Sequence, residues 1–209
     1  MSDLKLVIGN KNVSSWSLRP WILLKHFGIP FEEIPLKLFT PEYAQVIDKY
    51  SPSGKVPVLH DGNLQIWDSL GISEYLAETF SNKDFWPKDK TARAKARSIT
   101  AEMHSGFSGL RSNLSMNFVG RKTDYQPPIE AQKDIDRIQE IWEECISSYG
   151  GPFLFGKDFS IADAFYTPVV SRFITYGVKL SSKSSGYIQT ISNLPAYKVW
   201  EDGAKLEVS

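Results

Sequence analysis

A chain of 209 residues with 42% hydrophobic and 23% charged side chains can bury a sizeable core, as one large domain or two small ones. Its 24 basic and 24 acidic side chains cancel, which argues against a nucleic-acid partner, because polyanion binders carry a basic excess. The single cysteine, Cys145, excludes an internal disulfide, a Cys-x-x-Cys redox pair and a thiolate zinc cage; no apolar stretch reaches the length of a membrane span, and the charged start, Met1 to Lys5, is unlike a signal peptide. The expectation is a cytoplasmic protein with no membrane partner.

In chain order, the apolar run Leu4–Ile8 ending at Gly9 reads as a buried strand. Asn10 to Ser15 is turn-like, and from Ser17 a helical pattern places Leu18, Trp21 and Ile22 on one face, with Pro20 near the start and Gly28 and Pro30 closing it. Phe31–Leu38 is a second strand, so the opening is a βαβ unit with parallel strands. Thr40-Pro41 starts a short helix to about Tyr50. After the turn cluster Ser51 to Gly54, Val56–Leu59 and Leu64–Trp67 read as a third and fourth strand joined at Asp61-Gly62. Asp68-Ser69 caps a helix through Phe80. Ser81 to Asp89, polar and containing Pro87, reads as a linker. The rest is helical in pattern: Thr91 to about Asn117, Pro127 to Tyr149, a break at Gly150-Gly151-Pro152, a helix from Ser160 and weaker stretches to the end. A mixed half (1–80) joined by 81–89 to an all-helical half (90–209) implies two domains.

Several residues have both a structural and a chemical reading. Ser14 and Ser15 stand where the first strand hands over to the first helix, the place of an N-cap and also a place where free N–H groups favour an anion. Pro57 at a strand start implies an edge position or a cis bond. Asp68 and Ser69 suit an N-cap, and Lys55 suits a solvated surface. Ser160-Ile161-Ala162-Asp163 reads as a capping-box variant that fixes a core helix. His104, Phe107, Ser108 and Arg111 are spaced to share a helix face, either packed or lining a pocket. His104 has no second His or Cys near it in sequence, so no metal site is expected.

Taken together, four motifs in order resemble the glutathione transferases. Ser14-Ser15-Trp16-Ser17-Leu18-Arg19 is similar to the opening of the zeta class, as found in bacterial serine-type members. Lys55-Val56-Pro57-Val58-Leu59 followed by Asp68-Ser69 resembles the superfamily's Val-Pro and acidic-Ser pair, and Ser160 to Asp163 its helical-domain cap. The resemblance covers nearly the whole chain. It implies a thioredoxin-like α/β domain followed by an all-α domain that shapes an electrophile pocket, and a homodimer with Trp67 and the long helices as interface elements. It also implies glutathione as co-substrate, conjugated as a thiolate to a hydrophobic electrophile. The first serine, Ser14, is the implied partner of the thiol, with Ser15 as its rival. Pro57 is implied to be cis, with Val56 pairing through its main chain to the cysteinyl unit. Asp68 and Ser69 would hold the γ-glutamyl ammonium and carboxylate, Lys55 the glycyl carboxylate. His104, Phe107, Ser108 and Arg111 would face the second substrate.

The chain departs from the zeta pattern at two points. Trp16 stands where that pattern has cysteine, which removes the mixed-disulfide position of a reductase. Thr175 falls where an arginine for acidic substrates is expected, with Arg172 one turn earlier. Both count against the zeta class's maleylacetoacetate isomerisation, which stands as the alternative beside a non-catalytic, transferase-like binding protein.

Overall fold

The computed structural model describes residues 4–209; Met1–Asp3, part of the charged start, lie outside the described residues. Strand β1 (Leu4–Gly9) buries Leu4, Leu6, Val7 and Ile8 almost completely, as a strand covered on both faces must. Helix α1 (Ser15–His26) carries the chain to β2 (Glu32–Leu36), which lies parallel to β1 with Val7 opposite Ile34. Helix α2 (Pro41–Tyr50) is capped by the Thr40 hydroxyl, which accepts from the Tyr43 N–H at 3.2 Å. Strands β3 (Val58–Asp61) and β4 (Leu64–Trp67) form a hairpin, and β3 lies antiparallel to β1, so the sheet order is β2-β1-β3-β4. Helix α3 (Ser69–Thr79) completes this half. Several boundaries differ from expectation: β2 is Glu32–Leu36 rather than Phe31–Leu38, the third strand ends at Asp61 rather than Leu59, and α3 ends at Thr79 rather than Phe80. Helix α1 starts at Ser15 rather than Ser17, and the third strand starts at Val58 rather than Val56. Pro57 has no N–H to give to a ladder, and the Val56–Pro57 bond is cis.

Residues 80–89 carry no helix or strand. Beyond them lie α4 (Lys90–Ser105), α5 (Ser108–Asn113), α6 (Ile129–Tyr149), α7 (Ile161–Tyr176), α8 (Ser182–Ser192) and α9 (Pro195–Leu206). The single helix expected from Thr91 to Asn117 is in fact two. At the break Gly106 is extended, and a Cβ there would sit 2.8 Å from the Glu102 carbonyl oxygen. Phe107 follows in a left-handed conformation, φ +60°, with its ring buried. The new direction presses α5 onto α6 so closely that a Cβ on Gly109 would meet the Glu130 carbonyl oxygen at 2.4 Å. The second long helix starts at Ile129, with Pro128 as its cap residue, not at Pro127.

Helix α7 is apolar almost all round and buried along nearly its whole length, so it forms the axis of the helical half. The buried Asp163 carboxylate anchors its start. It accepts from the Ser160 N–H (2.9 Å), the Ser160 hydroxyl (2.9 Å), the Leu154 N–H (3.0 Å) and the Tyr187 hydroxyl (3.1 Å). The two halves meet where α1 packs on α7 and α9. Among the described residues no helix is long and apolar enough to cross a membrane.

Candidate functional site

The loop between β1 and α1 is pinned from several sides. The Phe118 N–H donates to the Asn12 carbonyl (2.9 Å) and the Val119 N–H to the Asn12 side chain (3.1 Å). The Trp200 indole donates to the Lys11 carbonyl (2.9 Å), while the Lys11 and Asn12 N–H groups both donate to the Glu207 carboxylate. This fixed loop delivers Ser14 and Ser15 to the N-terminus of α1, where unpaired helix N–H groups favour negative charge. The two hydroxyls differ. Ser14 donates to Ser17 (2.7 Å), whose oxygen also accepts from the Gly9 N–H (3.1 Å). The Ser15 oxygen accepts from the Arg172 guanidinium (3.3 Å), an arrangement that leaves the hydroxyl proton to be given elsewhere.

Asp68 adopts φ +68°, ψ +138°, a conformation strained for any residue but glycine by roughly 1–3 kcal/mol. That geometry turns its carboxylate back so that Oδ1 accepts from the Leu70 N–H at 2.7 Å, while the side chain as a whole stays half exposed. Lys55, Val56, Pro57, Asp68 and Ser69, the residues expected around glutathione, line one cavity of about 500 Å³ together with Trp16, Ser53 and Trp67.

A second cavity of about 520 Å³ adjoins it, and both are lined by Trp16, Lys55 and Val56. Ser14 and Ser15 line the second cavity, with Val13, Phe39, Met116, Arg111 and Arg172 among its other walls. Of the four residues expected to share a face toward the second substrate, Arg111 is in this lining and the other three are not, because the break at Gly106 turns α4 and α5 apart. His104 instead points Nε2 at the Asp68 carboxylate, 3.3 Å away. Phe107 is buried in the core, and Ser108 opens α5. Thr175 is wholly buried, and its one hydroxyl proton is shared between the Asn117 (2.8 Å) and Ser171 (2.9 Å) carbonyls.

Three arginines converge at the second cavity: Arg111 and Arg172 line it, and Arg19 does not. Arg19 is fully buried, its guanidinium stacked 4.2 Å from the Trp16 ring centroid and 4.6 Å from that of Phe165. Burial, together with Arg111 and Arg172, pushes it well below the ordinary arginine range, and its Nε has no hydrogen-bond partner among the described residues. Arg111 stacks 4.8 Å from the Trp16 ring centroid and donates to the Gly106 and Met103 carbonyls. Arg172 donates to the Leu114 carbonyl, and burial reinforced by Arg111 pushes it down to about 10. Asp68 acts on Arg19 and Asp134 on Arg111 as opposing charges. The surplus of buried positive charge suits a ligand that brings carboxylates of its own.

Residues 13–79 match the model "Glutathione S-transferase, N-terminal domain" and residues 95–202 match "Glutathione S-transferase, C-terminal domain". The chain belongs to the glutathione S-transferase family. A glutathione S-transferase zeta class protein of Euphorbia esula is 29% identical over 78% of this chain and 73% of its own. The maleylacetoacetate isomerase of Mus musculus is 31% identical over 80% of this chain and 76% of its own. A glutathione transferase homologue from Burkholderia, solved with bound glutathione, shares the fold at a TM-score of 0.74 and 22% identity, covering 97% of this chain and 98% of its own. In this glutathione S-transferase, the thioredoxin-like half alone lines the first cavity, and the helical half adds Arg111, Ser115, Met116 and Arg172 to the walls of the second. Short motifs in the sequence picked out the first cavity. Arg172 could be noticed only by its distance of one turn from Thr175, and the buried Arg19 only as part of a motif; no local pattern marks Val13 or Phe39.

Proposed function

We propose that this protein binds glutathione in the cavity between Lys55 and Ser69, keeps its sulfur as thiolate at the N-terminus of α1, and transfers that sulfur to a small electrophile in the second cavity. The observation that carries the reading is the meeting of the two cavities at Trp16, Lys55 and Val56, with the Ser14–Ser15 turn beside the junction. Asp68 would meet the γ-glutamyl ammonium, and Ser69 with the α3 N–H groups the γ-glutamyl carboxylate. The Val56 main chain would pair with the cysteinyl unit as a short ladder, and Lys55 would face the glycyl carboxylate. At the sulfur, the helix terminus and the Arg172 charge favour the anion, and the Ser15 hydroxyl donates to it. This assigns the thiol contact to Ser15, with Ser14 turned toward Ser17 to hold the turn. As in the family at large, we propose that the chain works as a homodimer; half-exposed Trp67 on the edge strand β4 is a candidate contact.

A second reading is favoured by Arg111 and Arg172, which give the second cavity positive walls. The arginine expected near Thr175 has a counterpart one turn earlier, so glutathione-dependent cis–trans isomerisation of an acidic, maleyl-type substrate stays in competition with conjugation. Retention on glutathione-agarose, conjugation of a chloronitrobenzene and turnover of a maleyl substrate separate these readings. Binding with neither activity would leave a non-catalytic role, and failure to bind glutathione would overturn both.

A further inference from the structure

His104 lies in the last turn of α4, in the helical half, and leans over the start of α3 in the other half. Its Nε2 is 3.3 Å from Asp68 Oδ2 and its Nδ1 is 3.4 Å from Arg19 Nη1. The same Arg19 Nη1 lies 3.5 Å from the Ser69 hydroxyl. Because Asp68 and Ser69 are adjacent, the four side chains close a ring: carboxylate, imidazole, guanidinium, hydroxyl. We propose that His104 is a positioning residue that presents Asp68 to the γ-glutamyl ammonium of glutathione, and that its protonation withdraws Asp68 and weakens glutathione capture in acid. The proposal rests on the glutathione reading above.

The ring fixes the tautomer. A guanidinium only donates, so Nδ1 facing Arg19 must be the acceptor and Nε2 must carry the hydrogen, which it gives to Asp68. The charged groups facing the imidazole are Asp68 at the start of α3, Arg19 on α1 and Arg111 on α5. Trp16 and Phe165 supply ring contacts at 5.3 and 6.0 Å. Burial holds the imidazole below its ordinary value, with Arg19 and Arg111 pulling the same way against Asp68. His104 is therefore neutral at neutral pH, and the pair with Asp68 is a hydrogen bond, not an ion pair. A proton on Nδ1 would set two donors and two positive charges against each other at the Arg19 contact. It would also offset the Asp68 charge that the ligand ammonium needs. The effect is reciprocal: a bound ammonium adds positive charge beside the imidazole, so the bound state must hold the His104 proton less tightly than the free state. The affinity is full at neutral pH and is lost as pH falls through the His104 pKa, below the ordinary histidine value.

The test uses the full chain with S-methylglutathione, whose blocked sulfur removes thiol ionisation from the pH dependence. Calorimetry should record affinity falling about fivefold or more from about pH 7.5 to about pH 5, since each unit of linked pKa shift is tenfold. His104→Gln keeps a donor and an acceptor but cannot take a proton; it should bind more weakly at neutral pH and show a flat profile. In the native protein, burial holds two of the three imidazoles, His26 and His104, below the ordinary histidine range, and one of these two resonances should move lower still when S-methylglutathione is added. Absence of that resonance from His104→Gln assigns it. If none of the three imidazole midpoints moves when ligand is added, the proposal is overturned, even if the variant fails to fold. The same pH slope in native protein and variant also overturns it. No binding at any pH overturns the glutathione reading and this inference with it.

Discussion

The two cavities that meet at Trp16 are assembled by different means. The one between Lys55 and Ser69 comes mainly from two short stretches, 53–57 and 67–69, at the turn into β3 and the turn into α3. Its shape follows from a backbone turn and a helix cap. The other draws on stretches far apart in the chain, 13–16, 38–43, 111–116 and Arg172, brought together by the break at Gly106 and the packing of α7. A cavity made from local chain geometry suits a constant ligand, and one made from long-range packing is where the choice of second substrate can vary. Changes in the first should therefore act on every electrophile alike, and changes in the second should reorder electrophiles.

The largest effect is expected at the junction. Ser15→Ala should lower kcat about 10²-fold for every electrophile, the loss of one donor to a developing or stabilised anion. Ser14→Ala should cost less, because its hydroxyl is committed to Ser17. Steady-state kinetics on both variants decides this, and a larger loss from Ser14→Ala reverses the assignment. Next comes Asp68→Asn. Losing a charge-assisted hydrogen bond should weaken glutathione binding by about 1.5–3 kcal/mol, tenfold or more. Asn caps a helix nearly as well as Asp, so the melting temperature should barely move. Calorimetry and a thermal melt check the pair; unchanged affinity with an intact fold would leave Asp68 as a cap alone. The smallest effect is one of ranking. Arg172→Met should lower the ratio of kcat/KM for an anionic electrophile over a neutral one by roughly tenfold, through loss of one partly desolvated charge contact. An equal fall for both electrophiles would confine Arg172 to holding Leu114 and Ser15.

The same contrast explains what could be read in advance. The βαβ opening, the hairpin at Asp61-Gly62 and the caps at Thr40, Asp68 and Ser160 are local signals, and the family assignment followed from four such motifs in order. The α4–α5 break was not legible, because residues 91–117 keep helical spacing and the left-handed Phe107 is stabilised by burial that only the folded chain provides. From that one misreading followed the placing of His104 and Phe107 on a shared face with Arg111. Nor could the pinning of Lys11 and Asn12 by Glu207, nearly two hundred residues away, be read from pattern. Ser160–Asp163 was legible as a cap, but its further bonds to Leu154 and Tyr187 were not.

At the centre of the account is a sulfur held as thiolate at the start of α1, beside Ser15. The direct measurement is the thiolate absorbance of protein-bound glutathione against pH. The account predicts that thiolate appears well below the ordinary thiol value of about 8.5, and that the midpoint moves back up in Ser15→Ala. Bound glutathione that ionises at the same pH as free glutathione would contradict it.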